Sequence, residues 1–194
     1  MTLKKKETAV SGKERILKVS AELFSELGYE RASIRQISEK SGMKTGSVYY
    51  FFNSKADILL EIQERGFALI SKRVQDAIEE ESDPWGRLYS ACTAHLEGIF
   101  EYRSYIEVTV RELPDRHPEP LRKKMKRFRR RYEDIFVKII EDLPLKEDID
   151  RSYFRLSLLG AMAWTLVWYD NEGRYSPKET ARKMIDFLRY SSST

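Results

Sequence analysis

Two short helices joined by a tight turn are predicted for SIRQISEKSGMKTGSVYYFF, the stretch from Ser33 to Phe52. Ile37 and Val48 are apolar where two crossed helices must touch, and Ser38 is small where the second helix passes close. Gly42 lies at the turn, where the backbone needs a positive φ that glycine adopts at little cost. Basic and hydroxyl side chains lie in the second helix and just before it: Lys44, Thr45, Ser47, Tyr49 and Tyr50. In a recognition helix the N-terminal end enters the major groove, where such side chains would meet base edges and phosphates. This pattern indicates a helix-turn-helix, with an ordinary helical hairpin as the alternative.

The rest of the chain is predicted to be helical almost throughout. Capping boxes of the form S-x-x-E/Q mark helix starts at Ser11 and Ser33, and a capping residue before proline marks two more at Asp83 and Ser176. Apolar residues then recur at helical spacing, as in the stripe Leu121, Met125, Phe128, Tyr132, Phe136, Ile139 and Leu143. Residues 106–110 look strand-like but also fit a helix face. The sequence therefore predicts an all-α fold of about nine helices.

Composition narrows the classes of protein to which the chain can belong. The 194 residues are 41% hydrophobic and 34% charged, which is enough apolar content for a core. One cysteine excludes a disulfide framework, and two distant histidines offer no metal-ligand pair. The longest uncharged apolar run covers residues 156–169, well short of the ~20 residues that a membrane span needs. With no signal peptide visible, we expect a cytoplasmic protein with no membrane partner, metal or cofactor.

Positive charge is concentrated in two regions. Residues 1–55 hold 11 Lys and Arg against 6 Asp and Glu, a net charge of +5, whereas the remaining residues sum to −1. The first region suits contact with nucleic acid. A second basic run covers residues 111–131, with 10 Lys and Arg against 3 Asp and Glu. This second run fits either the solvated outer face of a helix or an anion site.

Residues 33–55 resemble the signature of the tetracycline-repressor (TetR) family. In that family the pattern T-x-x-x-I-A-x-x-A-G-V-S-x-G-x-L-Y-x-H-F-x-x-K follows a helix that ends F-x-x-x-G, which Phe24 to Gly28 supply here. The resemblance covers about residues 11–70. Three departures are Lys44 in place of a small residue, Phe51 in place of the usual histidine, and Ser38 and Ser41 in place of alanine. The second departure removes any phosphate contact that relatives make with that histidine.

The resemblance implies two domains and a palindromic double-stranded DNA operator read by a homodimer. Residues 1–55 would form the DNA-binding domain, with the motif at about 33–53, and residues 56–194 a helical effector-binding and dimerisation domain. The implied DNA contacts are Ser33, Arg35, Lys44, Thr45, Gly46, Ser47, Tyr49, Tyr50 and Lys55. Lys55 also fits a solvated residue in the first turn of a helix.

A helix that is apolar on all sides is predicted over residues 156–169. Such a helix must be covered all round, by its own core on one face and by a partner subunit on the other. Complete burial within its own chain is the alternative. In the resembled family the last two helices form the dimer interface, which implies Leu156, Gly160, Ala163, Val167, Ala181, Met184, Ile185 and Leu188 here.

The second domain is where the resemblance implies a pocket for a small-molecule effector. The candidate lining residues are Trp85, Cys92, His95, Phe100, Tyr105, Thr109, Arg111, Trp164 and Trp168, each of which also fits an ordinary core or surface position. The segments 111–119 and 159–177 resemble a branch of the family that senses acyl-CoA thioesters. In that case Arg122, Lys123 and Arg127 would bind the coenzyme A phosphates.

An enzyme is the competing class of protein, but the sequence has no G-x-S-x-G, P-loop or H-E-x-x-H motif. Cys92 and His95 could meet on a helix face, yet the pair has no third member. We therefore expect a sequence-specific DNA-binding transcriptional regulator, not an enzyme: a repressor released from its operator by a small effector, for which an acyl-CoA thioester is the candidate. A regulator of another hydrophobic ligand, of drug or efflux type, is the alternative.

Overall fold

A computed structural model describes the backbone of residues 2–170 and 172–193, and the side chains of 12–170 and 172–190. Across this part of the chain there are nine α-helices and no strand, so the predicted all-α fold of about nine helices is confirmed. The helices are α1 (Thr2–Leu27), α2 (Ile34–Ser41), α3 (Thr45–Phe51), α4 (Lys55–Ile78), α5 (Pro84–Glu101), α6 (Arg103–Arg111), α7 (Glu119–Glu141), α8 (Arg151–Trp168) and α9 (Pro177–Ser193), with a 3-10 turn at Pro114–Arg116. Residues 106–110 lie inside α6, as predicted.

Helix starts follow most of the predicted caps. Asp83 accepts a 2.7 Å hydrogen bond from the backbone N–H of Gly86 at the start of α5. Ser176 and Glu179 form a capping box at the start of α9, with reciprocal hydrogen bonds of 2.8 and 3.2 Å. The box predicted at Ser11 does not start a helix, because α1 begins at Thr2 and runs through it. At the other predicted starts the capping residue correctly marks where the helix begins, because the segment before it is not helical.

The chain divides into two compact units. The first unit consists of Met1–Gly66 and Ser104–Phe128, and the second of Phe67–Arg103 and Arg129–Thr194. This division differs from a domain boundary after residue 55. The first unit is therefore assembled from two separate stretches of the chain.

One apolar core explains why the first unit extends beyond residue 55. Buried side chains from five helices meet there: Ile16, Leu17, Phe24, Ile37, Val48, Ile58, Leu59, Ile62 and Val108. Fully burying a side chain of this size stabilises the fold by about 1.5–3 kcal/mol. Glu14 of α1 also pairs with Arg65 of α4, with 2.7 Å between Glu14 Oε1 and Arg65 Nη2. This hydrogen bond lowers the pKa of Glu14.

Polar contacts attach the end of α6 to the end of α1 within the first unit. Arg111 Nη1 donates a 2.8 Å hydrogen bond to the carbonyl oxygen of Ser25. The backbone N–H of Tyr29 donates to Glu112 Oε1 at 3.3 Å, and Gln63 Nε2 donates to the carbonyl oxygen of Glu112 at 3.2 Å. Residues far apart in sequence thus fix the position at which α1 ends and the helix-turn-helix begins.

The core of the second unit is formed by α5, α8, α9 and the C-terminal parts of α4 and α7. Its buried apolar residues include Leu88, Leu96, Ile99, Phe136, Ile139, Leu158 and Met162. Ala181 and Ile185 of α9 also lie in this core, at 0% and 4% exposure. Their predicted placement at a subunit interface is corrected, because they occupy the face of α9 that is buried within the chain's own core, and α9 packs against α5.

Candidate nucleic-acid interface

Backbone hydrogen bonds fix both ends of α2. At its start the backbone N–H of Gln36 donates to Ser33 Oγ at 3.2 Å, and the backbone N–H of Ser33 donates to Gln36 Oε1 at 2.8 Å. At its end Gly42 adopts a left-handed conformation, with φ 64° and ψ 24°. The N–H groups of Gly42 and Met43 donate back to carbonyl oxygens of α2 at 3.1 and 3.0 Å. These two bonds form a Schellman motif, which ends the helix and directs the chain into α3.

Helix α3 has a buried inner face and an exposed outer face. Val48 is fully buried in the core of the first unit, and Phe52, directly after the helix, is also buried. Ser38 Oγ of α2 lies 3.1 Å from Thr45 Oγ1, at the point where the two helices meet. The exposed residues are Lys44, Thr45, Gly46, Tyr49 and Tyr50, while Ser47 is half-buried. Hydroxyl and ammonium groups presented in this way can bind phosphates and base edges.

Two predicted phosphate contacts, Arg35 and Lys55, differ in whether their N–H donors are bonded to side chains or to the backbone. Arg35 is exposed on α2 and forms a 2.8 Å ion pair with Glu39, whose hydrogen bond raises the pKa of the guanidinium. Lys55 Nζ donates to the carbonyl oxygens of Tyr29 (2.8 Å), Glu30 (3.2 Å) and Ala32 (3.0 Å). All three ammonium protons of Lys55 are thus used within the chain. The structure therefore gives Lys55 a structural role in place of the predicted phosphate contact.

The exposed apolar face of this protein, as we name it, consists of exposed apolar side chains of α8 and α9, two helices that contact each other. Its largest side chains are at least half exposed: Leu156, Trp164, Val167, Trp168, Phe187 and Tyr190. Gly160 is also exposed, and a Cβ atom added there would meet nothing within 4 Å. The remaining predicted interface residues, Ala163, Met184 and Leu188, are half-buried. Contiguous exposed apolar side chains often mark sites of protein association.

The predicted pocket residues of the second unit fall into a buried and an exposed set. Trp85, Cys92 and His95 are buried, and Phe100 stacks on Tyr169 with 4.3 Å between ring centroids. Trp164 and Trp168 are 62% and 50% exposed, which corrects their predicted place in an internal pocket. They lie on the same face of α8 as Leu156 and Val167. Val167 and Trp168 follow Trp164 by three and four residues, and Leu156 precedes Trp164 by eight, which is about two helical turns.

The remaining pocket and anion candidates belong to the first unit. Tyr105 packs against its core, and Thr109 Oγ1 is bonded to the carbonyl oxygen of Ile106 at 2.7 Å. Arg111 is exposed and its Nη1 donates to the carbonyl oxygen of Ser25 in α1, so its role in an effector pocket stays a prediction. Of the anion candidates, Arg122 is paired with Glu119, whereas Lys123 and Arg127 are exposed on α7.

Two properties of the described residues concern membranes and metal ions. No helix in this part of the chain combines the length and apolarity needed to cross a bilayer. Across the same residues, His, Cys, Asp and Glu form no group of three or more able to hold a metal ion.

Comparison with protein families identifies the chain. A family model described as "Bacterial regulatory proteins, tetR family" matches residues 16–62, and one described as "Tetracyclin repressor-like, C-terminal domain" matches residues 81–191. The second match alone covers more than half of the chain. The chain belongs to the TetR family. The helix-turn-helix of α2 and α3 is therefore its DNA-binding motif, and the protein is a DNA-binding transcriptional regulator, as predicted.

Relatives of this TetR family member extend over almost the whole chain. The fatty acid metabolism regulator protein of Bacillus subtilis is 22% identical over 178 residues, which cover 89% of this chain and 91% of the relative. The transcriptional repressor KstR2 of Mycobacterium tuberculosis is 20% identical over 174 residues, covering 88% and 87%. The solved structure of AibR in complex with isovaleryl coenzyme A and operator DNA has a TM-score of 0.81 at 20% identity, covering 91% of this chain and 97% of AibR. At this identity the structural likeness shows the shared fold.

The substitution Lys55→Met tests the structural role of Lys55 in this TetR regulator. We expect the free energy of unfolding to fall by about 2–3 kcal/mol, because hydrogen bonds to charged groups are strong and three carbonyl oxygens lose their donor. The salt dependence of operator binding should not change, since no phosphate contact is removed. Urea denaturation and operator titrations at several salt concentrations measure the two quantities.

Lys44→Met is the matched control, because Lys44 is exposed next to α3 and its side chain forms no cap hydrogen bond. This variant should keep its stability within about 0.5 kcal/mol and reduce the slope of log K against log salt by ~1. A lower salt slope with unchanged stability in Lys55→Met would instead make Lys55 a phosphate contact.

Sequence reasoning missed three exposed aromatic side chains of this regulator: Tyr153 of α8 and Phe187 and Tyr190 of α9. A usable signal existed in α9. Its apolar residues form two stripes, one containing Ala181 and Ile185 and the other containing Phe187 and Tyr190. A helix with two apolar stripes has two faces to cover, and only the first is covered by the chain's own core.

Proposed function

We propose that this TetR regulator is a repressor that binds a two-fold symmetric operator as a homodimer and is released by an acyl-CoA thioester. The observation that carries the DNA-binding part is the outer face of α3. Tyr49 and Tyr50 are 53% and 80% exposed there, on a helix whose other face is anchored by the fully buried Val48. Large side chains without intrachain burial on a rigidly held helix suit insertion into a major groove.

Operator contacts are proposed, by the family resemblance, for Ser33, Arg35, Lys44, Thr45, Gly46, Ser47, Tyr49 and Tyr50. The residues at the start of α3 would lie nearest the base edges, since the N-terminal part of a recognition helix contacts bases. Ser33 and the first N–H groups of α2 would hold a phosphate at the positive end of the helix dipole. Arg35 would exchange its exposed partner Glu39 for a phosphate.

A homodimer is proposed because one small helix-turn-helix contacts only half of a two-fold operator. The exposed apolar face of α8 and α9 supports this proposal, since a closed two-fold dimer would bury the same face of both subunits. Val167, which lies on that face in the last turn of α8, is 65% exposed in the single chain. Burial of these side chains against a second copy would remove a large apolar area from water.

The proposed effector class rests on the relatives rather than on a defined pocket. The B. subtilis relative is a fatty acid metabolism regulator, and AibR was solved with isovaleryl coenzyme A. The exposed Lys123 and Arg127 are candidates for coenzyme A phosphates, as exposed cations can bind such groups. Release would follow from linkage: a ligand that binds the conformation with low DNA affinity weakens operator binding by its preference and by no more.

An electrophoretic shift with DNA upstream of the protein's own coding region tests the proposal. The assay is run at low salt, alone and with isovaleryl-CoA, octanoyl-CoA, palmitoyl-CoA or free coenzyme A. We expect a shifted band that one chain-length class abolishes and that free coenzyme A leaves in place. A band that no thioester disturbs would contradict the effector class and favour another hydrophobic ligand. No band with this DNA or with an operator selected from random sequence would contradict operator binding.

Two further parts of the proposed function are the absence of catalysis and a cytoplasmic location. We propose that it acts by binding alone, because the relatives are regulators and the chain shows no catalytic motif. A cytoplasmic location belongs to the same proposal, since bacterial operator DNA lies in the cytoplasm.

A further inference from the structure

A buried polar pair lies inside the second unit. His95 of α5 is 7% exposed, and its Nδ1 is hydrogen-bonded to the hydroxyl of Tyr132, which is 5% exposed. Aromatic rings surround the imidazole, with Tyr132 stacked at 5.7 Å and Phe136 edge-on at 6.2 Å between centroids. On its other side, His95 Nε2 is buried and has no hydrogen-bond partner in the part of the chain that the structure describes.

The hydrogen-bond pattern favours one tautomer of His95. If Nδ1–H donated to the phenol oxygen, the Tyr132 hydroxyl proton would itself need an acceptor, and none is found among the described residues. Two buried groups would then be unsatisfied. If the hydroxyl of Tyr132 donates to Nδ1, only one group is unsatisfied, a single Nε2–H donor. The second arrangement is the one with the smaller desolvation cost.

A lone buried donor among apolar side chains is costly for a protein that uses it only for packing. Replacing both members of such a pair by apolar residues is nearly neutral or stabilising in general. Burial also keeps this pair uncharged, since it lowers the pKa of His95 to about 3 and raises the pKa of Tyr132. The imidazole can therefore offer a hydrogen bond but no positive charge at neutral pH.

We propose that His95, held in one tautomer by Tyr132, recognises an uncharged acceptor of the effector, the carbonyl oxygen of its thioester. This proposal rests on the proposed effector class and adds the atom that is recognised. A neutral donor in an apolar environment favours a thioester carbonyl over a free carboxylate, because a carboxylate would enter with an uncompensated charge. The pair thus separates an activated acyl chain from the corresponding free acid.

The test compares each thioester with an analogue that lacks only the carbonyl oxygen. Isovaleryl-, octanoyl- and palmitoyl-CoA are paired with isopentyl-, octyl- and hexadecyl-CoA thioethers and with the free acids. Binding to the full-length protein is measured by calorimetry. We expect the best thioester to bind at least about tenfold more tightly than its thioether, since the analogue leaves Nε2–H unpaired. The free acid should bind more weakly still.

Variants separate recognition from a merely structural role. His95→Leu should reduce the thioester-to-thioether ratio to about one, whereas His95→Gln keeps an N–H donor and should retain much of the ratio. The double variant His95→Leu, Tyr132→Phe guards against misfolding, because it removes both polar partners together. Thr165→Val is the matched control, as this buried hydroxyl is already bonded to the carbonyl oxygen of Met162 at 2.6 Å. It should leave the ratio unchanged.

Each outcome decides the proposal. A ratio of one in the wild-type protein, or a ratio that survives in the folded double variant, overturns the role of His95 while leaving acyl-CoA as the effector class. Absence of binding by every thioester overturns the effector class and this inference together. A ratio that falls in both His95→Leu and the double variant, but not in Thr165→Val, supports it.

Discussion

Gly46→Glu is expected to abolish operator binding while the protein folds at least as stably as before. Gly46 is exposed at the start of α3 in a helical conformation, and an added Cβ would meet nothing within 4 Å. Glutamate is also a better helix former than glycine by up to about 0.5–1 kcal/mol. A carboxylate at this position would face DNA phosphates, and like charges brought together at an interface cost several kcal/mol. We therefore expect an affinity loss of at least about 100-fold.

Two controls make this result specific. Gly46→Ala keeps the helix-propensity gain without the charge, and should bind the operator far more tightly than Gly46→Glu. Ala77→Glu adds the same charge at an exposed position of α4 and should change operator affinity little. Affinity is measured by fluorescence anisotropy with the operator, and stability by thermal unfolding. Operator binding by Gly46→Glu within about tenfold of wild type would place the DNA contacts elsewhere on the protein.

Val167→Glu is expected to convert the proposed dimer into monomers of 22.9 kDa. Val167 lies on the exposed apolar face of α8 and α9, beside Trp164 and Trp168. In a two-fold interface the substitution places two carboxylates in apolar surroundings, each at a cost of several kcal/mol. The isolated subunit should keep its stability, because residue 167 is already solvent-exposed. Loss of the second half-site contact should lower operator affinity by at least about 100-fold.

Light scattering after gel filtration measures the mass in this experiment. Ala77→Glu again serves as the control of equal charge and should elute as a dimer. A dimeric mass for Val167→Glu with full operator binding would show that subunits associate through another surface.

The helix-turn-helix could be predicted because its determinants are local. Gly42 must adopt a positive φ, Ser33 caps the helix that follows it, and Val48 has the only apolar side chain placed to enter the core from the middle of α3. Each of these requirements acts over a few residues, so the residue types and their spacing carry the information. The assignment of inner and outer faces of α3 followed from the same pattern.

The positions that sequence reasoning misplaced depend on distant parts of the chain. The carbonyl oxygens that bind Lys55 lie 23 to 26 residues before it, and no local pattern indicates that they converge. An apolar run such as residues 156–169 likewise does not reveal which of its faces the chain itself covers. Trp164 and Trp168 are pocket candidates in the sequence because aromatic side chains are common in protein interiors. Here they are exposed because the neighbouring helices cover the opposite face of α8.

The two-stretch construction of the first unit has a consequence for the order in which the protein can be made. During synthesis the helix-turn-helix emerges early, but Val108 and Glu112, which complete its surroundings, emerge about 50 residues after Gln63. Until residue 128 has left the ribosome, the first unit is incomplete, and its core lacks the packing that Val108 provides. The construction also limits the exchange of DNA-binding segments between regulators. A transplanted N-terminal segment needs its own α6 and Glu112, because otherwise Ser25 and Tyr29 lose the partners that fix the end of α1.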